Sequence, residues 1–203
     1  MDAFNLLKAD HRKVEKLFSQ LESASGQAKM RVFEQIKTEL ELHTHIEESI
    51  FYPALEKPKQ THDLTLEAYE EHNVVKKLLR EMSKAKSANE EWQAQAKVLQ
   101  ENVEHHVEEE ENELFTKAEA ALSEEQIEAL GEQMETEKER KQRGATKSSS
   151  KKKSASANKS ASKTKSASTA AKRARASKKS GSKSSSKSSG SKRSKKSAKK
   201  SRR

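Results

Sequence analysis

The sequence contains no cysteine, which excludes disulfide bonds and thiolate metal sites. Two prolines and five glycines among 203 residues leave few positions at which a helix must end. No apolar stretch approaches the ~18–20 residues that cross a bilayer, and no N-terminal apolar run is typical of a signal peptide. We therefore expect a cytoplasmic protein with no membrane partner.

Acidic and large apolar residues are absent from the C-terminal part of the chain. Residues 141–203 contain 24 of the 42 lysines and arginines, no Asp or Glu, and no Leu, Ile, Val, Met, Phe, Tyr or Trp. Residues 1–140 therefore carry 18 basic and all 32 acidic residues, a net formal charge of −14. A segment without large apolar side chains cannot offset its ordering entropy. We predict a folded domain over 1–140 and a disordered basic tail over 141–203.

Apolar residues in the first part of the chain recur with helical spacing, which predicts an all-α fold. Long helices with short connections favour an antiparallel up-down four-helix bundle. A shorter fifth helix is expected after "SEEQ", which fits a capping box. The predicted helices span residues 2–24, 27–56, 61–85, 88–121 and 123–144.

An internal repeat relates the first two helices to the next two. "DHRKVEKLF" at 10–18 matches "EHNVVKKLL" at 71–79, and "HTHIEESIFYP" at 43–53 matches "HHVEEEENELFT" at 105–116. The chain therefore contains two copies of one helical hairpin. We expect them to pack about a pseudo-twofold axis that places equivalent residues opposite each other.

Each of the four helices places one histidine on its inward apolar stripe, and two also place a glutamate one turn later. A lone histidine of this kind is more often a core residue with a hydrogen-bond partner. Four histidines with two buried carboxylates, and no Lys or Arg on the stripes, favour a bound cation instead, because burying unpaired charge costs several kcal/mol. The candidate metal ligands are His11, His43, Glu47, His72, His106 and Glu110.

The other polar and aromatic residues near these stripes are expected to have ordinary roles. His45 and His105 project from the opposite faces of their helices, and His62 shows no such pattern. Four further residues either fill a vacant position at the metal or support its ligands, or are solvated acids and core aromatics, and the second interpretation is favoured; they are Glu48, Glu111, Tyr52 and Tyr69.

Imidazole and carboxylate donors without sulfur suit Fe, Mn or Zn. Four histidines and two glutamates are too many for one ion that keeps an open position, but they suit two ions with bridging carboxylates. We predict two non-haem iron ions, with Mn or Zn as alternatives. Such a centre leaves positions for O2, peroxide or NO.

Four stretches together resemble the hemerythrin-like (HHE cation-binding) domain, namely "DHRKV", "HTHIEESIFYPAL", "EEHNVVKKLL" and "HHVEEEENELF". The resemblance covers residues 1–140 and implies the same six ligands as the apolar stripes. Oxygen-carrying members have a further histidine where this chain has Ala68, and a later aspartate in place of Glu110. The resemblance therefore implies the shorter site of sensor and stress-related members.

The tail resembles those of linker histones and bacterial histone-like proteins. Closely spaced cations bind polyanions by releasing condensed counterions, so we predict non-specific DNA binding, with RNA as a further polyanion, and association with a nucleoid or chromatin. A solubilising tail, or one that binds an acidic partner, is the alternative. The candidate nucleic-acid-binding residues are Lys151, Lys152, Lys153, Lys172, Arg173, Arg175, Lys178, Lys179, Lys192, Arg193, Lys195, Lys196, Lys199, Lys200, Arg202 and Arg203.

Three functions are compatible with these features. The first is a di-iron sensor or scavenger of O2, peroxide or NO that the tail holds on DNA. The second is a di-iron enzyme that degrades peroxide or reduces NO. The third is a nucleoid-architectural protein whose bundle is mainly structural.

Overall fold

The structure, a computed structural model, describes residues 1–144. The predicted tail lies outside the described residues, apart from residues 141–144, which continue the last helix. All sixteen candidate nucleic-acid-binding residues fall in the part that is not described.

Every regular element within residues 1–144 is helical, which confirms the all-α prediction. The elements α2 (Gly26–Ile46), π1 (Glu47–Phe51) and α3 (Tyr52–Leu55) form one continuous rod, and α5 (Glu90–Glu109), π2 (Glu110–Leu114) and α6 (Phe115–Ala121) form another, so four long rods precede the fifth helix. Among the helices of this region, none combines the length and apolar character that a membrane span requires. The elements are α1 (Ala3–Ser23), α2 (Gly26–Ile46), π1 (Glu47–Phe51), α3 (Tyr52–Leu55), α4 (Lys59–Met82), α5 (Glu90–Glu109), π2 (Glu110–Leu114), α6 (Phe115–Ala121) and α7 (residues 124–144).

Local sequence sets where the helices begin. The Asp2 carboxylate accepts a hydrogen bond from the Asn5 backbone N–H at 2.9 Å and caps α1. At the start of α7, the Ser123 hydroxyl accepts from the Gln126 N–H and the Gln126 side chain accepts from the Ser123 N–H, the reciprocal pair of a capping box. Between α1 and α2, Gly26 has a φ of 53°, which a residue with a side chain rarely adopts.

Two π-helical turns lie at the same place in the two interrupted rods. The Tyr52 N–H donates to the Glu47 carbonyl, and the Phe115 N–H donates to the Glu110 carbonyl. Each turn therefore begins at one of the two predicted glutamate ligands. The sequence did not predict these turns, which are frequent at functional sites.

A proline does not explain the π turns. Pro53 follows π1, but the equivalent residue after π2 is Thr116, which has a backbone N–H. What the two turns share is the buried glutamate at which each begins.

The core consists of two apolar clusters on either side of a polar layer. Phe4, Phe51 and Phe115 meet in one cluster, with the Phe4 and Phe115 ring centroids 4.8 Å apart. Phe33 and Trp92 meet edge to face in the other, at 5.3 Å. The inward histidines and glutamates belong to neither cluster and occupy the layer between them.

The last helix, α7, packs across the start of α1. A Cβ atom at Gly131 would lie 2.3 Å from the Met1 carbonyl oxygen, so only glycine permits this approach. Ile127 is buried in the first apolar cluster. Near the other end of α7, Lys138 forms an ion pair with Asp10. The fifth helix is therefore anchored by both apolar and charged contacts.

Candidate metal centre

The six residues predicted as ligands lie together in the polar layer, and none is more than 6 % exposed. Their histidines form two pairs. His11 Nε2 lies 3.2 Å from His43 Nε2, and His72 Nε2 lies 3.2 Å from His106 Nε2. Each hairpin of the sequence repeat therefore contributes one pair, as expected from the pseudo-twofold arrangement.

Glu47 joins the two histidine pairs. Its Oε1 lies 3.1 Å from His43 Nε2, and its Oε2 lies 3.3 Å from His72 Nε2. Glu110 approaches from the other hairpin, with Oε2 at 3.3 Å from His11 Nε2. The donor atoms form two groups that share Glu47, and within each group the donor atoms lie within 4.8 Å of one another. One group consists of His11, His43, Glu47 and Glu110, and the other of Glu47, His72 and His106.

These residues fit a bound cation because the layer contains uncompensated buried acceptors. Both carboxylate oxygens of Glu47 and Oε2 of Glu110 have no hydrogen-bond partner of acceptable geometry. No lysine or arginine is buried anywhere in residues 1–144. Leaving buried carboxylates unsatisfied costs several kcal/mol, and a divalent cation removes that penalty. Nitrogen and oxygen donors without sulfur suit Fe, Mn or Zn.

The pKa values show the same need for positive charge. Burial and the neighbouring Glu110 charge raise the pKa of Glu47 well above its ordinary value. Burial also favours a raised pKa at Glu110, but the close contact with His11 and the charge of the nearby imidazoles outweigh it and lower that pKa to about 2. Burial lowers the pKa of His43 to about 4, which keeps its imidazole neutral, the form that binds metals.

Each of the four histidines turns its Nδ1 towards a carboxylate outside the six. Hydrogen bonds of this kind fix the tautomer, so that Nδ1 carries the proton and the Nε2 lone pair points into the centre. Only the distance between His43 Nδ1 and the Asp10 carboxylate is too long for a hydrogen bond. The pairs are His11 with Glu111 at 2.7 Å, His72 with Glu48 at 3.0 Å, His106 with Glu71 at 2.7 Å, and His43 with Asp10 at 3.8 Å.

The favoured interpretation of Glu48 and Glu111 as solvated acids is wrong, and the alternative, that they support the ligands, agrees with the structure. Each follows a ligand glutamate directly and reaches a histidine of the other hairpin. Asp10 and Glu71, which precede His11 and His72, form the second equivalent pair. The sequence repeat sets Glu48 on Glu111 and Asp10 on Glu71. A supporting role for one residue of such a pair therefore implies the same role for the equivalent residue.

The remaining histidines lie outside the centre. His105 is 62 % exposed, as predicted. His45 Nε2 lies 2.7 Å from Glu137 on α7, and His62 is exposed near the start of α4. Ala68 is buried beside the polar layer.

Comparison with known proteins agrees with this geometry. The Hemerythrin HHE cation binding domain family matches residues 2–118, more than half of the chain. The chain belongs to that family. A crystal structure of a hemerythrin HHE cation binding domain-containing protein from Mycobacterium kansasii shares the fold of this hemerythrin domain. Its TM-score is 0.61 at 23% identity, over 69% of this chain and 86% of that chain.

A curated relative of this hemerythrin protein is a DNA nickase from Nostoc sp. (strain PCC 7120). The two are 31% identical over 129 residues, which make up 63% of this chain and 36% of the relative. The chain therefore spans only about a third of the length of that relative.

Tyr52 makes the two halves of the hemerythrin centre unequal. Its hydroxyl lies 3.3 Å from His72 Nε2 and donates to Glu110 Oε1 at 3.3 Å. Phe115, at the equivalent position, has no hydroxyl, and its ring lies nearly parallel to the His11 ring at 6.4 Å. Tyr52 is thus not only the core aromatic that was predicted. Tyr69 does pack as a core aromatic, edge to face against Tyr52.

A small apolar cavity of about 20 Å³ lies beside all four histidines. It has room for one or two water-sized molecules. Neither Glu47 nor Glu110 lines it, so it opens on the histidine side of the centre. Its other walls are Val14, Leu40, Thr44, Val75, Val103 and Val107.

Replacing Glu111 with glutamine is expected to weaken metal binding by about 10–100-fold. The hydrogen bond from His11 Nδ1 then meets a neutral amide, which makes the ligand nitrogen less basic. Competition with a chelator of known affinity measures the change. Glu108→Gln, an exposed change on the same acidic stretch, should leave the affinity unchanged. Equal affinity in both variants would show that Glu111 does not support the ligand.

Proposed function

We propose that this hemerythrin protein holds two non-haem iron ions and uses them to sense or scavenge a small oxidant or gas. The observation that carries the proposal is Glu47, whose two unsatisfied buried oxygens face the two histidine pairs. His11, His43 and Glu110 would hold one ion, and His72 and His106 the other, with Glu47 within reach of both pairs. Iron of this kind supplies redox chemistry and open positions for O2, peroxide or NO.

The chain itself orients and shields the centre. Glu111, Glu48 and Glu71 hold protons on the Nδ1 atoms of three of the four histidines, which keeps their Nε2 atoms available; these are His11, His72 and His106. Val75, Val103 and Val107 give the cavity beside the histidines an apolar wall, which disfavours water. A cavity of this size and polarity favours a neutral diatomic molecule over a charged or larger ligand.

The tail would hold the protein on nucleic acid. The acidic first part of the chain, with its net charge of −14, repels a polyanion, whereas residues 141–203 carry cations and no acid. The name of the Nostoc relative, DNA nickase, also states an action on DNA. These features support the proposal that the protein acts at a nucleoid or chromatin.

Gas binding tests the function of the cavity. Reduced, iron-loaded full-length protein is expected to bind NO, and Val107→Phe should slow association by at least about tenfold because the ring fills the cavity. Val98→Phe, on the exposed face of α5, is the matched control and should bind as the wild type does. Stopped-flow absorption measures both rates at equal iron content. Iron-loaded wild type that binds neither NO nor O2 would contradict the proposal.

A second candidate, a peroxide-degrading enzyme, is favoured by the Tyr52 hydroxyl. That hydroxyl provides an exchangeable proton within hydrogen-bonding distance of Glu110 and beside His72. Converting two molecules of peroxide to two of water and one of O2 needs no outside reductant, but it requires proton transfer at the reacting oxygens. Steady-state peroxide turnover that Tyr52→Phe abolishes, at unchanged iron content, would establish the enzyme. Consumption of peroxide in proportion to the protein, without turnover, would contradict the enzyme and support the sensor or scavenger.

A further inference from the structure

A second group of metal-binding side chains lies on the surface between α4 and α5. His105 Nε2 lies 3.7 Å from Glu71 Oε1 and 3.5 Å from Glu109 Oε1, and donor atoms of the three residues lie within 4.8 Å of one another. His105 and Glu109 are one turn apart on α5, while Glu71 projects from α4. Within residues 1–144, neither glutamate forms an ion pair with a lysine or arginine, so the group carries uncompensated negative charge.

This surface group directly adjoins the buried centre. Glu71 uses its other oxygen, Oε2, to accept the hydrogen bond from His106 Nδ1 at 2.7 Å. A small cavity of about 10 Å³ lies behind the group, which is room for a single water-sized particle. Glu71 and Glu109 line its outer side, and His106 and Glu110 line its inner side.

The inner side of this cavity borders the buried centre. Glu110 lines it, is 2 % exposed, and has an unsatisfied Oε2 that faces His11 Nε2 in the centre at 3.3 Å. The small side chain of Ala68 forms part of the same wall and leaves the space open, beside Leu64 and Leu114. The cavity therefore separates the surface carboxylates of Glu71 and Glu109 from a ligand of the buried centre by the width of one small particle.

We propose that Glu71, His105 and Glu109 form a surface site that captures a divalent first-row metal ion and delivers it through this cavity to the buried centre. The delivery step rests on the proposed function, since it assumes that the buried centre takes up iron. Two carboxylates and one imidazole suit a hydrated ion that keeps several waters. An uncompensated acidic group also raises the local cation concentration, which increases the rate of capture.

Titration with Mn²⁺ tests the surface site by itself. In full-length protein whose buried centre is already loaded with iron, electron paramagnetic resonance should detect one further Mn²⁺ per chain. The double variant His105→Ala, Glu109→Gln should lose that ion, and Glu108→Gln should keep it. Both changed side chains are exposed or half-buried, so the fold is expected to be retained. Equal Mn²⁺ binding by the double variant and the wild type would overturn the surface site.

Uptake of Fe²⁺ tests the delivery step. Metal-free full-length protein is mixed with Fe²⁺ without oxygen, and the double variant is expected to fill its buried centre at least about tenfold more slowly. Its final iron content should equal that of the wild type, because Glu71 and all six buried ligands remain. Equal uptake rates would overturn delivery. A wild type that takes up no iron would overturn the proposed function instead, while the Mn²⁺ titration would still report on the surface site.

Discussion

Replacing Glu47 with glutamine is expected to stabilise the metal-free protein while abolishing its stabilisation by metal. Glu47 is fully buried, and neither of its oxygens accepts a hydrogen bond. A glutamine of the same shape removes the charge, and its amide can donate to His43 or His72, whose Nε2 atoms lie within 3.3 Å of Glu47. The expected gain in the free energy of unfolding is about 1–3 kcal/mol.

The pH dependence of this gain has a definite sign. Burial raises the pKa of Glu47 in the folded protein, so the group contributes stability below its ordinary pKa and loses it as the pH rises through the folded value. The advantage of Glu47→Gln should therefore grow from mildly acidic to neutral pH. His43 has the opposite sign, because its lowered pKa of about 4 removes stability as the pH falls below 6.5. The wild type and Glu47→Gln both lose this stability, so the difference between their free energies of unfolding reports the contribution of Glu47.

Thermal unfolding with and without added iron measures both effects. The wild type should gain stability with iron in proportion to the logarithm of its concentration, and Glu47→Gln should gain little or nothing. Glu67→Gln, an exposed change on α4, is the control and should behave as the wild type does. A metal-free Glu47→Gln protein that is less stable than the wild type, and that iron still stabilises, would show that Glu47 is structural.

Removing residues 145–203 is expected to abolish DNA binding and to leave the metal content unchanged. The deletion leaves a strongly acidic protein, because the removed segment contains many lysines and arginines and no aspartate or glutamate. Counterion release predicts that binding by the full chain falls steeply with salt, by about 10³–10⁵ between 50 and 200 mM if six to ten phosphates are contacted. Fluorescence anisotropy with a random duplex measures both effects.

A tail with the same composition in scrambled order provides the matched control. Because the proposed binding depends on charge density rather than on a motif, the scrambled tail should bind DNA as the natural one does. Loss of binding on scrambling would indicate that the tail reads a specific feature. Binding that survives the deletion would place the nucleic-acid surface on residues 1–144 and contradict the tether.

Helical periodicity was sufficient to predict the bundle and the convergence of the six inward residues. His43 and Glu47, for example, are one turn apart and must share a face. The ends of the predicted helices were within a few residues of those observed, and the start of the fifth helix was visible in the sequence because Ser123 begins a capping box.

Tyr52 shows where this reasoning failed. In an uninterrupted α-helix, residues five apart point about 140° away from each other, so regular helical geometry does not bring Tyr52 to the same side as Glu47. The π turn between them widens the helix and brings the hydroxyl back to the centre. The π turn depends on the single backbone hydrogen bond from Tyr52 to Glu47, which does not alter the spacing of apolar residues in the sequence. Neither Tyr52 nor Glu47 by itself indicates a π turn. The partners of Glu48 and Glu111 were missed because their long side chains reach across to the other hairpin.

The metal content of full-length protein purified under air decides whether the polar layer is a di-iron centre. Elemental analysis combined with Mössbauer spectroscopy should find two irons per chain, magnetically coupled to each other as a pair that shares carboxylate ligands. Substituting alanine for His72 should leave at most one iron. A stably folded protein that contains no metal and takes up none when iron is supplied would contradict the di-iron centre.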